Sequence, residues 1–597
     1  MMMHKTFALT IVTASFATVA LAATPIRLEA EDAVLADDHK VLVIENANAS
    51  GGKYVDMKDG NLEFKVTIPA TGYYTLWANY QIPSESTSKI QNLTVNGVSS
   101  GQISFGISDE FSTIKGAGKI KLTEGENKIG IVHSWGYVNL DYIELTEYEA
   151  SPWSISPTPV TPEPTESAQK LYNFLLNNFG KHVISGVMTE RPFENDGQYT
   201  PQNYETQTEL KYIHEASGKN VVLVGFDFLH ASGKNSDQQW YQGYTHASLK
   251  MAKTVWKAGG IPQFNWHWKD PMHDIEAFYT QSGNETSYTE FNINKAYDED
   301  TGKWKTDSDA YKAMVRDMEM IADSLLTLQK EGVAVLWRPL HEASGKWFWW
   351  GIDGPKPCVA LYKLMFDIFV NQKGLRNLIW VWTTDEASDA LDWYPGDEYV
   401  DVVGRDYYYY PRESNHASLV GSFETVKEIF GGRKIVTLSE NGSVPYPDEM
   451  KADGANWSWF MPWYGDYAME SWANDNNAES WKIVMNNEYT LTLEDMPGWD
   501  KYEIVTPSTT EIKNMQLAQK ASASLSIIGK NLQVNILSIA ANTTAKVTIF
   551  DMQGNQVMNH TINGTSANLN LSGIMAGQYI VKVQGKGFTQ NRRILIK

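Results

Sequence analysis

Eight short apolar runs recur through the middle of the chain: HVISGV, NVVLVGFDF, IPQFNW, VAVLWRPL, LIWVW, VDVVGRDY, KIVTLS and WSWFMPW. Segments of helical period, such as YKAMVRDMEMIADSLLTLQK and PCVALYKLMFDIFV, lie between them. Runs that are apolar on both alternations belong to strands buried on both faces. Such strands alternating with helices form a parallel sheet covered on each side. Eight such units within residues 167–505 predict a (β/α)8 barrel.

The flanks read differently. LEFKVTIPA, YYTLWANY, KIKLT, NKIGIV and YVNLDYIELT alternate apolar and polar positions between Gly and Pro, which predicts a β-sandwich over residues 24–149. Between sandwich and barrel, SPTPVTPEPTES (Ser156–Ser167) lies at the end of a predicted extended, semi-rigid linker, residues 150–166. After the barrel, LQVNILS, AKVTIFDMQGNQV, ANLNLS and GQYIVKVQG predict a small all-β domain over 520–597. The expected fold class is therefore multidomain, a TIM barrel between two β domains.

A formal charge of −21, with no run of Lys and Arg to override it, excludes nucleic acid and anionic membrane surfaces as expected partners. Twenty-one Trp and thirty Tyr offer flat apolar faces that suit the C–H faces of sugars as well as a core. The start MMMHKTFALTIVTASFATVALAATP has a basic end, an apolar stretch from Phe7 to Leu21 and small residues Ala20, Ala22 and Ala23. It predicts a secretory signal peptide over 1–22, and a secreted or cell-surface bacterial protein. No later apolar run reaches the roughly 18–20 residues of a membrane span. The single Cys358 forms no internal disulfide, and a monomer is expected.

Barrels of this kind place functional groups at the C-terminal ends of their strands. The third run ends in His267, and the fourth in Arg338, His341 and Glu342. The sixth ends in Asp406 and Tyr408 on one alternation and Tyr407 on the other. The seventh ends at Glu440, and the eighth brings Trp459 and Trp463. Glutamates on strands four and seven face each other across a barrel mouth. Retaining glycosidases need two carboxyls about 5–5.5 Å apart, one as acid/base and one as nucleophile. Aromatic company raises the pKa of an acid such as Glu342, and hydrogen bonds would keep Glu440 ionised. A metal held by His267, His341 and Glu342 has no local ligand spacing in its favour.

The stretch WRPLHEASGKWFWWG resembles the signature of glycoside hydrolase family 26, whose principal activity is endo-β-1,4-mannanase. GKHVISGVM, YPGDEYVDVVGRDYY and TLSENG extend the resemblance over roughly 166–500. It implies Glu342 as general acid/base, Glu440 as nucleophile, and His267, His341, Trp347 and Trp463 as sugar-site residues. It also implies a tyrosine bonded to the nucleophile, for which Asp-x-Tyr favours Tyr408 and the four-tyrosine run leaves Tyr407 open. Tyr464-Gly-Asp replaces the Arg-Asn of several relatives. The chemistry implied needs no cofactor, and the implied partner is β-mannan. Mixed-linkage β-glucan or β-xylan as substrate, or a noncatalytic polysaccharide-binding role, are the alternatives.

IRLEAEDA and WGYVNLDYIEL resemble carbohydrate-binding module family 35, with Ser50-Gly-Gly-Lys-Tyr54 as its Gly-rich turn. That resemblance implies structural calcium at Glu29, Glu31 and Asp141, and sugar contacts at Tyr54, Trp135 and Asn139. The C-terminal residues resemble the sorting domain of type IX secretion, which implies the secretion machinery as a partner.

Overall fold

The computed structural model describes residues 25–505, apart from 36–40, 70, 84–87, 196, 235–236 and 411. It also describes 522–596, apart from 529, 538–543, 564–565 and 586–587. The expected signal peptide, 1–22, lies outside the described residues. No helix among the described residues is long and apolar enough to cross a membrane.

The barrel sheet has seven parallel strands in chain order: β1 (Gly186–Met188), β2 (Leu223–Asp227), β3 (Ile261–Asn265), β4 (Val335–Arg338), β5 (Leu378–Thr384), β6 (Val402–Tyr407) and β7 (Ile435–Asn441). Every residue of these strands is buried, as apolar runs on both alternations require. The intervening helices follow their sequence signals. Ser308 Oγ caps Asp309–Lys330 by accepting from the Tyr311 amide, and Met314, Met318, Ile321, Leu325 and Leu328 form its buried stripe.

The eighth run departs from a regular strand. WSWFMPW instead closes the barrel through separate main-chain bonds to both neighbours. Ser458 and Phe460 bond Ile184, Pro462 O accepts from Met188, and Leu438 and Asn441 of β7 donate to Trp459 and Met461. Pro462 has no N–H to continue a ladder. A Cβ on Gly186 would lie 2.6 Å from Phe460 O, so this closure requires glycine there. The first run also divides at Ser185, with Val183–Ile184 pairing Thr490–Leu491 and Gly186–Met188 pairing β2.

The proline-rich segment is a correction to the expected linker. It has no helix or strand before the helix Glu166–Asn178 begins, but is pinned along the barrel. Trp153 packs on Phe179 and Phe423, Ile155 and Thr161 are buried, and Val160 N donates to Asp401 Oδ1 at 2.7 Å. Prolines leave few amides to satisfy, and the barrel supplies partners for the others.

The N-terminal module is an antiparallel sandwich. Leu42–Glu45, Lys53–Asp56, Asn139–Glu147, Gly72–Ile82 and Ser108–Leu122 make one sheet, with Ile26–Glu29 added to Asn139–Glu147. Val34–Leu35, Leu62–Ile68, Gly125–Trp135, Lys89–Val95 and Val98–Phe105 make the other. The C-terminal residues form a three-stranded and a four-stranded sheet around Leu532, Val547, Ile549, Val581 and Val583.

Candidate active site

The fourth strand ends on a strained turn. Leu340, Glu342 and Lys346 all have left-handed backbones, at φ 50°, 54° and 61°. Such residues cost about 1–3 kcal/mol each and persist where the surroundings over-determine them. Here the tryptophans do so. Trp350 Nε1 donates to His341 O at 2.9 Å and Trp349 Nε1 to Trp268 O at 2.5 Å, both indoles fully buried. The turn aims the Glu342 carboxyl into the cleft, where Trp347 Nε1 donates to Oε2 at 3.0 Å. Trp347, 38% exposed, is the ring of this stretch that faces solvent.

Across the barrel mouth, Glu440 stands on β7 beside Asp406 of β6, where a register shift after Arg405 brings the two opposite each other. Arg338, fully buried at the end of β4, bridges them: Nη1 donates to Asp406 Oδ2 at 2.8 Å and Nη2 to Glu440 Oε2 at 2.5 Å. Tyr408 OH donates to Glu440 Oε1 at 2.6 Å. Tyr407, by contrast, packs against Tyr409 inside the protein, so Tyr408 is the member of the four-tyrosine run seen bonded to Glu440. One carboxylate oxygen each of Glu342, Asp406 and Glu440 lie within 4.8 Å of one another.

Asp406 and Glu440 share one guanidinium, and Glu342 lies close beside them. Burial, then the charges of Asp406 and Glu440, push Glu342 well above the usual carboxylate range. Burial and Asp406 also raise Glu440, while Arg338 and the hydrogen bond from Tyr408 act to lower it. Asp406→Asn removes a negative charge that raises both groups. It is expected to move both limbs of the pH profile of kcat/KM to lower pH, the acid limb set by ionisation of Glu440 and the basic limb by deprotonation of Glu342. Unmoved limbs would contradict this coupling.

His267 and His341 meet directly, Nε2 to Nε2 at 3.1 Å. Burial drives His341 well below the usual imidazole value and keeps it neutral. His267 is oriented by Asp227 at the end of β2, which bonds its Nδ1 at 2.5 Å and its amide at 3.0 Å. Trp463 packs 5.6 Å from the His267 ring, and Phe278, Tyr279, Tyr464 and Tyr467 complete the cleft. A larger groove, between the helices Gln239–Lys257 and Asp309–Lys330, contains neither strand-end glutamate.

Asp227, Tyr279 and Tyr467 were not singled out by sequence. Asp227 ends the run NVVLVGFDF, so its place at a strand end was the available signal. Tyr279 forms an isolated bridge to Phe348 and Tyr467 ends the short 3-10 turn Gly465–Tyr467, elements too short to carry a periodic signal.

In the sandwich, Tyr54 and Asn139 lie on one sheet, where Asn139 pairs Asp56 and contacts Gln81, and Tyr54 packs on Phe111. Trp135 ends a strand of the other sheet and is 51% exposed, with Lys89 Nζ 4.9 Å from its ring. Trp135 and Asn139 flank the same turn. Glu29 and Asp141 converge on Ser50, whose amide donates to both Asp141 oxygens and whose hydroxyl donates to Glu29 Oε1 at 2.9 Å. Gly51, at φ 63°, brings the turn over Glu31, and a Cβ there would sit 3.2 Å from Glu31 Oε1. Among the described residues, Glu29 Oε2 and Glu31 Oε2 are buried without a hydrogen-bond partner. Burial, with Glu29 and Glu31 adding to it, pushes Asp141 up to about 6.

Two carboxyl groups this close at a barrel mouth, one raised well above the usual carboxylate range and the other held by an arginine and a tyrosine, fit the carboxyl pair of a retaining glycoside hydrolase. The family model of glycosyl hydrolase family 26 matches residues 160–495, more than half of the chain, and the protein belongs to that family. The model of carbohydrate binding module family 35 matches 26–148, and that of the secretion system C-terminal sorting domain matches 531–597. A mannan endo-1,4-beta-mannosidase of Thermothelomyces thermophilus is 32% identical over 79% of this chain and 90% of its own length. A mannan endo-1,4-beta-mannosidase A of a Piromyces species is 29% identical over 79% of this chain and 73% of its own. Among solved structures, the beta-mannanase of a symbiotic protist of the termite Reticulitermes speratus, complexed with a gluco-manno-oligosaccharide, is 42% identical. It covers 58% of this chain and 100% of its own, with a TM-score of 0.52. The Podospora anserina GH26-CBM35 beta-(1,4)-mannanase is 29% identical over 80% of this chain and 99% of its own, with a TM-score of 0.50.

Proposed function

We propose that this chain is an exported endo-1,4-β-mannanase that hydrolyses internal β-1,4-mannosidic bonds of mannan, galactomannan or glucomannan with retention of configuration. The observation that carries the reading is the Glu342–Glu440 pair, its carboxylate oxygens within 4.8 Å and differently held. Glu440 attacks the anomeric carbon while Glu342 gives its proton to the leaving glycosidic oxygen, and the C–O bond breaks. Glu342, now a carboxylate, takes a proton from water, whose oxygen attacks the same carbon and frees Glu440. His267, His341, Trp347 and Trp463 shape the sugar site around that carbon. The mannanase relatives support mannan over the glucan and xylan alternatives.

Reducing-sugar release from galactomannan, glucomannan, lichenan and xylan tests the substrate. Release from the two mannans is expected; cleavage of lichenan alone would overturn the assignment. The C-terminal sorting domain supports a secreted or cell-surface protein, and residues 1–22 supply the leader in this reading.

A structural calcium ion belongs to the proposal. Glu29, Glu31 and Asp141 would hold it, two buried carboxylate oxygens there being otherwise unpartnered. The raised Asp141 gives the sign of the cation-free case. A carboxyl whose folded pKa exceeds its unfolded value favours folding when protonated, so the cation-free sandwich loses stability as pH rises from about 4 to about 6. At pH 7, calcium is expected to raise the melting temperature of the full chain and EDTA to lower it. No difference between the two would remove the ion from the account.

A further inference from the structure

Three polar side chains of the sandwich end on the main chain of the loop that carries Tyr408. Gln102 Nε2 donates to Tyr408 O at 3.3 Å and to Asn92 Oδ1 at 3.1 Å. Asn92 Nδ2 donates to Tyr410 O at 2.8 Å, and Ser134 Oγ reaches the same carbonyl at 3.1 Å. The donors come from Val98–Phe105, Lys89–Val95 and Gly125–Trp135, successive neighbours in one sheet, so the sheet fixes their spacing. Gln102 is only 7% exposed.

A second grip acts on the same strand end. The helix Val420–Ile429 packs on Ser108–Leu122: Gly118 N donates to Thr425 Oγ1 at 2.9 Å, and Lys115 pairs with Glu428. A Cβ on Gly118 would lie 2.7 Å from the Glu424 side chain, so the two surfaces touch at the backbone. From that helix Ser422 bonds Glu386, which accepts from Arg405 Nε at 3.0 Å, three residues before Tyr408.

Tyr408 needs such support. The β6–β7 ladder ends at the Tyr407–Asn441 pair, and Tyr408 stands beyond it. Its 2.6 Å bond to Glu440 weakens steeply with small changes of distance and angle. We propose that the sandwich is a working part of the active site, fixing through Gln102, Asn92 and Ser134 the backbone from which Tyr408 reaches Glu440. Gln102 is then a positioning residue. The inference rests on Glu440 being the nucleophile, as read above.

The test uses the full chain on mannohexaose, a soluble substrate on which a module that merely captures polysaccharide contributes little. Gln102→Ala, Tyr408→Phe and the double variant are compared with wild type. Gln102→Ala is expected to lower kcat about 10-fold to 100-fold, the cost of misplacing a catalytic contact, with KM within about twofold. The Tyr408 bond lowers the pKa of Glu440, so loosening it moves the acid limb of the profile to higher pH. In the Tyr408→Phe background, Gln102→Ala is expected to cost nothing further. Independent, multiplying losses, or an unchanged kcat with an unmoved acid limb, would overturn the proposal. Gln102→Met keeps the volume without the donors and carries the same test if the alanine variant folds poorly. Full activity of Glu440→Ala would instead overturn the functional reading, and that control is measured first.

Discussion

Glu440→Ala is expected to lower kcat on galactomannan by at least about 10,000-fold with the fold intact, the scale on which loss of a covalent nucleophile is felt. Both oxygens of Glu440 are committed in the structure, one to Arg338 and one to Tyr408, and no other carboxylate occupies its place on β7. Asp406, its neighbour, is held by Arg338 and by Ser439 Oγ at 2.6 Å, behind the cleft wall. The vacated space admits a small nucleophile. Azide is therefore expected to restore turnover and to give an α-mannosyl azide, the anion attacking from the face that Glu440 left. Activity in the untreated variant would remove Glu440 from its role.

Glu342→Ala is expected to lower kcat on the same polysaccharide by about 100-fold to 10,000-fold, the usual range for a positioned general acid and base. The loss should depend on the leaving group. A dinitrophenyl mannobioside departs without a proton, so its first step stays fast and the glycosyl-enzyme accumulates, seen as a burst of phenolate. Azide then intercepts that intermediate and yields the β-mannosyl azide, the opposite anomer to the Glu440 variant. The basic limb of the pH profile, set by the raised pKa of Glu342, should vanish with it. An equal loss on both substrates would mean that Glu342 acts in binding and not in proton transfer.

The barrel was legible because its strands are apolar on both alternations, a pattern few other arrangements require. The eighth run carried the same composition, yet Pro462 and the wide rings beside it replace a ladder with scattered bonds. The two glutamates could be placed by strand end alone, since the fold itself points such residues at one mouth. Their relative titration was not readable, because it depends on Asp406 and Arg338 lying within reach of both. Asp227 escaped notice as one acid at the end of one strand, its meaning supplied by His267 from the next. The proline-rich segment misled for a physical reason: prolines prevent secondary structure but do not prevent packing. Gln102, Asn92 and Ser134 look like ordinary polar strand residues. Their partners are main-chain carbonyls 276 to 318 residues away, which no periodicity or local motif encodes.

The spacing of Glu342 and Glu440 makes one demand on the product that no other feature of the site makes. Proton NMR during the first minutes of mannohexaose hydrolysis, before mutarotation, reads the anomeric configuration of the newly released reducing end. The β-anomer is expected to appear first, as two successive displacements at one carbon require. Initial appearance of the α-anomer would contradict the double displacement, and with it the roles given to both glutamates.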